Sequence, residues 1–427
     1  MVKINRFKET FQCVNAFGQT DKGMMRLAYG AAEQQATHYF MQCCRQAGLS
    51  VTMDAAGNVR ARRPGTIAGL PAVGIGSHLD TVSEGGKYDG AVGTLAALEI
   101  IRDLNDRNIK TRHPIDIFSF ACEESSRFGF SMIGSKLLTG QVKSEEIAHL
   151  SDKSGCSIQQ AFASCGLDFG KAEDARLRPG SLAAFMEMHI EQGPVLEAQD
   201  CSIGIVAGIA APTRFTISVT GHAAHSGSTP MDHRQDALVG AAKIAIELEQ
   251  MARSERACGT VATVGDIAIE PGVMNVVPGE TTLKVDIRSI SKSSKQRVVD
   301  ILYRALDQLE KERHLKIECT MLCDDVPVRM DERVMSSFES ACGRRRTSCM
   351  RMASGAGHDT MNLASYCPSG MIFIPSRQGI SHHPDEYTSM EHIERGMNVL
   401  EDAVLLWAGV ADGQHGRERG LHEQSAS

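Results

Sequence analysis

Five side chains able to bind a divalent metal recur along this chain, each at the end of an apolar, strand-like run: His78, Asp89, Glu124, His189 and His382. They lie in GSHLDTVSEGGKYDG (76–90), FACEESSRFG (120–129), MEMHIEQG (186–193) and GISHHPDE (379–386). Three imidazoles and two carboxylates form the ligand set of a two-metal hydrolytic site. His78 can ligate through one ring nitrogen while Asp80, two residues on, holds the other and fixes the tautomer. Asp89 follows in a glycine-rich turn (GGKYDG), from which a carboxylate can project and bridge two ions. Glu123 and Glu124 are adjacent, so extended backbone would point them apart. Two equivalent buried carboxylates would repel, so their roles must differ. Glu124 is assigned as ligand, and Glu123 as general base and proton shuttle. His189 closes its apolar run. In the loop His382-His383-Pro384 either imidazole could ligate, and spacing does not choose between them.

Other groups suit a substrate better than a metal. The Gly/Ser/Pro loop GHAAHSGSTPM (221–231) carries His222 and His225, and a histidine there could stabilise an oxyanion. MNVVPG (274–279) and VDIRS (285–289) offer Asn275 and Arg288, an amide and a guanidinium that together would clamp a carboxylate. SGAGHD (354–359) is a glycine-rich turn in which His358 and the backbone N–H groups around Gly357 suit an oxyanion or amide oxygen. It lacks the spacing of a phosphate-binding loop, and GxxxxGK[ST] occurs nowhere.

The elements that must position these groups alternate. Pro71–Ser77, Pro114–Cys122 and Leu182–Met188 read as strands ending at His78, at the Glu123-Glu124 pair and at His189, with a helix at Ala91–Asp106. This alternation indicates an α/β domain with a parallel or mixed sheet, whose sites form beyond the carboxyl ends of the strands. From Pro212 the pattern changes. Strands at 214–221, 261–270, 281–290 and 316–326 and helices at 236–255 and 292–314 give the order βαββαβ, a four-stranded antiparallel sheet with two helices on one face. Ligand-type residues resume at 353–386, so this α+β segment reads as an insertion. The expected division is 1–211 with 327–412 as the metal-binding catalytic domain and 212–326 as the inserted domain. A strand at 370–374 and a helix near 391–407 complete the first domain. The tail 413–427 lacks apolar periodicity and is expected to be mobile.

Composition excludes several classes. A formal charge of −7 and a single Trp leave no basic or base-stacking surface for nucleic acid. No apolar run is long enough to cross a bilayer, and MVKINRFKETFQ has no apolar core of a secretory signal. Thirteen cysteines without CxxC spacing fit reduced thiols in a cytoplasmic protein better than a disulfide framework.

GSHLDTV, the EES-RF segment, HIEQGPVLE, HSGSTPM, N-V-V-P-G, GAGHD and GISHHPDE, in this order, resemble the binuclear-metal amidohydrolases that include N-carbamoyl-L-amino acid hydrolases, β-ureidopropionase and allantoate amidohydrolase. These belong with aminoacylases and di-zinc exopeptidases, and the resemblance runs from about residue 20 to 410. It implies a di-zinc exopeptidase-like catalytic domain, with a ferredoxin-like insertion serving as lid and dimerisation domain of a homodimer. It implies two divalent ions per subunit, zinc or manganese, cobalt or nickel. His78, Asp89 and His189 would hold one ion and Asp89, Glu124 and His382 the other, Asp89 bridging. The base position falls on Glu123 and the lid histidine on His225, which in relatives reaches the other subunit's active site. Gln192, Asn275, Arg288 and His358 fall on substrate-binding positions. The implied activity is hydrolysis of the linear amide bond of an N-carbamoyl-L-amino acid. Allantoate or N-carbamoyl-β-alanine is the nearer alternative substrate, and an acyl-amino acid or dipeptide the more distant one.

Overall fold

Continuous apolar runs, as opposed to alternating ones, build strands buried on both faces, and such runs form the centre of the first of two compact units. In the computed structural model, which describes residues 2–411, Ala72–His78, Ile115–Phe120 and Ser369–Ile374 are buried at every position. The parallel order is Ser369–Ile374, Leu182–Ile190, Ala72–His78, Ile115–Phe120. Val59–Arg63 and Ser50–Met53 extend one side antiparallel, and Ile203–Ile209 pairs antiparallel on the other. The sheet is therefore mixed. The expected tail at 413–427 lies outside the described residues.

Helix Ala91–Asp106, with bounds as read from its periodicity, packs on Ala72–His78 and Leu182–Ile190. Its opening residues are small, and the approach is close: a Cβ on Gly93 would lie 2.2 Å from the Met188 carbonyl oxygen. Helix Met390–Ala408, capped by Ser389, packs on Leu182–Ile190 and Ser369–Ile374. Phe185, of opposite parity to Met188, faces the other side of the sheet. There it clusters with Phe118, Phe120, Leu138, Leu177 and Leu363.

The second unit comprises Gly208–Arg329 with Ala353–Gly357. It runs past 212–326 because Val328 and Arg329 pair with Ile209 and Gly208. It takes in 353–357, where the Gly355 carbonyl accepts from Arg288. Its sheet is antiparallel throughout, in the order Val261–Glu270, Glu280–Ser289, Ala211–Thr220, Lys316–Asp324. Helices Ala237–Ser254 and Lys292–Arg313 are capped by Asp236 and Ser291. Phe215, Ile217 and Val219 pack against Ile244 and Leu248 of one helix and Leu302 and Leu306 of the other. All thirteen cysteines are unpaired, and no helix among the described residues is long and apolar enough to cross a membrane.

Candidate metal centre

The four parallel strands of the first unit deliver their carboxyl ends to one place. His78 is the last residue of Ala72–His78, and His189 is the penultimate one of Leu182–Ile190. Glu123 and Glu124 lie just past Phe120, and His382 is in the loop after Ile374. Three of the turns require left-handed backbone at non-glycine residues: Cys122 (φ 52°), Gln192 (φ 58°) and His382 (φ 55°). Strain of this kind persists only where surrounding contacts hold it. The reversal at Cys122 is what lets two adjacent carboxylates serve one site.

Ligand atoms of His78, Asp89 and His189 lie within 4.8 Å of one another, and so do those of Asp89, Glu124 and His382. Asp89 belongs to both groups, offering one oxygen to each. Its Oδ1 is 3.3 Å from His78 Nε2 and 3.1 Å from His189 Nε2, and its Oδ2 is 3.4 Å from His382 Nε2. Glu124 Oε1 is also 3.4 Å from His382 Nε2. Of the histidine pair it is thus His382 that faces the carboxylates, while His383 is exposed beside Asp385. Glu123 Oε2 stands 3.8 Å from His78 Nε2. A third grouping joins Glu187, His189 and His358, the His358 ring sitting 4.6 Å from that of His189, edge to face.

The supporting contacts set tautomers and positions. His78 Nδ1 is 3.0 Å from the Asp80 carbonyl and His189 Nδ1 is 2.9 Å from the Ile190 carbonyl. A carbonyl only accepts, so both Nδ1 atoms carry hydrogen, and it is the two Nε2 atoms that face Asp89. The Asp80 carboxylate lies 3.5 Å from His78 and also accepts the backbone N–H groups of Glu123 and Glu124, at 3.2 and 3.0 Å. Glu386 does the same for the other side. Its Oε1 accepts from the N–H groups of Tyr88 and Asp89, and its Oε2 accepts from the Ser381 hydroxyl. The glycines of GGKYDG make room for these groups. A Cβ on Gly86 would meet the Glu386 carboxyl at 2.2 Å, and one on Gly90 (φ 61°) would meet the His78 ring at 2.4 Å.

Burial sets the protonation of the centre's side chains. Burial pushes Glu123 well above the usual carboxylate range, reinforced by Glu124, Asp359 and Asp80 and opposed by His78. Burial and Asp89 bring Glu124 up to about 7. Burial opposes ionisation of Asp89 too, but His189, His382 and His78 hold its carboxyl well below its ordinary value. The hydrogen bond to Asp89 raises His382 to about 9. Burial, then the neighbouring His189, drives His358 well below the usual imidazole value. The charge balance is the test of fit for a metal. Asp89, Glu123 and Glu124 are buried together, and the cationic partners of Asp89 in its hydrogen-bond and ion-pair contacts are histidines. Hard carboxylate and borderline imidazole donors converging on such an excess of negative charge fit divalent ions.

Residues 74–406 match the model of peptidase family M20/M25/M40. The chain is 39% identical to an uncharacterized hydrolase of Haemophilus influenzae over 96% of its length and 99% of that protein's. It is 37% identical to an N-carbamoyl-L-amino acid amidohydrolase of Geobacillus stearothermophilus, over 90% of this chain and 94% of the relative. The chain belongs to this family, among its amidohydrolases. An allantoate amidohydrolase of Escherichia coli is 32% identical over 94% of this chain and 96% of its own. Among solved structures, an amidase of the hydantoinase/carbamoylase family from Burkholderia multivorans superposes with a TM-score of 0.90 at 33% identity, covering 95% of this chain and 98% of that one. Hydrolases of the M20 family use divalent metals, and the two groups sharing Asp89 are this chain's candidates to hold them.

Four other candidate residues of the M20 chain lie in its second unit: His225, Asn275, Arg288 and Gly357. His225 and Asn275 flank one short ladder, in which Ala224–His225 pairs with Val276–Val277. His225 Nδ1 accepts from the N–H groups of Gly227 and Ser228, which leaves the hydrogen on Nε2. Arg288 is clasped by Asp286 at 3.0 and 3.1 Å and donates to the Gly355 carbonyl. In the first unit, Gln192 Nε2 donates to Asp89 Oδ2 at 2.6 Å, while its Oε1 is buried without a partner. Glu386 is a residue of the centre that residue type and spacing do not single out. Its one signal in the sequence is position, two residues past a proline in a loop of candidate ligands.

Proposed function

We propose that this M20 amidohydrolase cleaves the linear amide C–N bond of an N-carbamoyl-L-amino acid or a similar ureido acid. The observation that carries the hydrolytic reading is Asp89, one oxygen facing His78 and His189 and the other facing His382. The substrate class is supported by the likeness to the carbamoyl-amino acid hydrolase. Two divalent ions, held by His78, Asp89, His189, Glu124 and His382, would supply Lewis acidity that activates water and polarises the substrate carbonyl. Glu123, placed beside His78, accepts the proton of the attacking water and passes it to the leaving amide nitrogen. Water adds at the carbamoyl carbon and the C–N bond breaks. The amino acid leaves, and the carbamic acid decomposes to ammonia and carbon dioxide.

The remaining side chains bind and orient. Gln192 Oε1, buried and unpaired, is set to accept from a carbamoyl NH2. His225 of the partner subunit in a homodimer donates through Nε2 to the developing oxyanion, with His358 and the Gly357 N–H assisting. Arg288, whose Nε–Nη2 edge is taken by Asp286, presents its other edge to the α-carboxylate, and Asn275 completes the clamp. Neutral amides should accordingly be poor substrates. The test is ammonia release by metal-reconstituted protein given N-carbamoyl-L-methionine, N-carbamoyl-β-alanine and allantoate separately. Selective turnover of the first supports the proposal, and selective turnover of either other moves the substrate to that acid. Silence on all three with metal bound overturns it in favour of acyl-amino acids or peptides.

A further inference from the structure

Away from the metal centre, the first unit contains a cavity of about 690 Å³ against the antiparallel edge of its sheet. Arg60 and Arg62, two residues apart on Val59–Arg63, project to the same side. Both guanidinium groups converge on Asp116, which is fully buried. Arg60 donates to Asp116 Oδ2 through Nε at 2.8 Å and Nη2 at 2.5 Å. Arg62 donates through Nε to Oδ1 at 2.7 Å and through Nη2 to Oδ2 at 2.8 Å. One carboxylate thus fixes two guanidinium groups and leaves a positive charge over.

Arg176 and Arg178 also line the cavity, both exposed, and neither makes a side-chain ion pair or hydrogen bond among the described residues. The one acid in the lining, Asp54, is spent on its own turn, accepting from the N–H groups of Ala56 and Asn58 and from the Asn58 amide. The wall therefore carries four arginines against the engaged Asp54 and the buried Asp116 behind two of them, in a chain whose net charge is −7. The rim is apolar: Ile67, 39% exposed, stands beside Leu70 and Pro71.

We propose that this cavity binds a small organic phosphate, its phosphate on Arg176 and Arg178 with Arg60 and Arg62 behind them, and its carbon body on the Ile67 rim. Guanidinium groups match the geometry of phosphate oxygens and hold their charge at every relevant pH. The volume is that of a small-molecule site. A nucleic acid would need an extended basic surface, which a chain of this net charge lacks. The inference is independent of the substrate proposed above.

The experiment is titration calorimetry of the metal-loaded protein with AMP and with inorganic phosphate, at constant ionic strength, repeated on R176A/R178A. Both side chains are exposed and unpaired, so the double variant should fold normally, which its thermal melt checks. One saturable site per chain is expected for AMP, tighter than for bare phosphate and weakened at least tenfold in the variant. Phosphate binding as tightly as AMP would remove the apolar rim from the proposal. Absence of saturable binding would overturn it. So would affinity unchanged in R176A/R178A, which would place the anion away from these two arginines.

Discussion

At the scale of single residues the centre is decided by which atoms are already spoken for. Glu123 stands beside His78 Nε2, on the side that faces Asp89, yet the paired metal groups do not use it, so replacing it should separate chemistry from metal binding. E123Q is expected to retain wild-type metal content while turnover falls by roughly 10²–10⁴-fold, the span of a positioned general base. Metal analysis beside the ammonia assay checks this, and a robustly active variant would reassign the base. Glu386 makes a different prediction, because it touches the backbone of Asp89 and the hydroxyl of Ser381. E386A leaves two buried N–H groups unpaired, and metal affinity should weaken by about 10–100-fold, as for other groups that hold a ligand in place. Equilibrium dialysis of the ion reads this directly, and unchanged affinity would show that Asp89 is positioned without it.

At the scale of elements, sequence and structure agree where local chemistry dominates. Continuous apolar runs and the Ala91–Asp106 periodicity place the sheet and its helix within a residue or two, and put His78 and His189 at strand ends. Contacts between distant segments leave no such local pattern. Glu386 reaches Tyr88 across 298 residues, and Asp80 turns from its neighbour His78 to the amides of the Glu pair. The choice of His382 over His383 is likewise a matter of a left-handed turn that spacing does not report. In helix Ala31–Gln46 the local contact is legible, Thr37 donating to Glu33 one turn back at 2.9 Å, but the burial of Glu33 is not. Burial, aided by Asp80, raises the Glu33 carboxyl to about 7. A pKa higher in the folded state than in the unfolded one gives stability that is complete below about 4.5 and lost as pH rises through about 7. The loss is on the order of 3 kcal/mol. E33Q keeps an acceptor for Thr37 and removes the titration, so urea melts at pH 5 and pH 8 should differ less for the variant than for wild type. Equal pH slopes would mean that Glu33 titrates alike in the folded and unfolded chains, with no pKa shift on folding.

At the scale of the molecule, a hydrophobic core belonging to the second unit alone and one charge imbalance in the first predict how the chain unfolds. Phe215, Ile217, Leu248 and Leu302 anchor a core wholly within the second unit, while the metal-site carboxylates belong to the first. A ligand that binds only the folded first unit stabilises it by RT ln(1 + [L]/Kd), about 2.7 kcal/mol at a hundredfold excess over Kd. Filling the centre also offsets the burial and the Asp89 repulsion that together hold Glu124 up near 7. Scanning calorimetry should therefore resolve two transitions, of which adding zinc or manganese raises one and leaves the other in place. The same addition to D89N, which lacks the carboxylate shared by both ligand groups, should shift neither. Should both transitions move together in the wild type, the two units unfold as one cooperative body. A D89N transition that rises as far as wild type would instead mean that the stabilising ion sits elsewhere than between His78, His189 and His382.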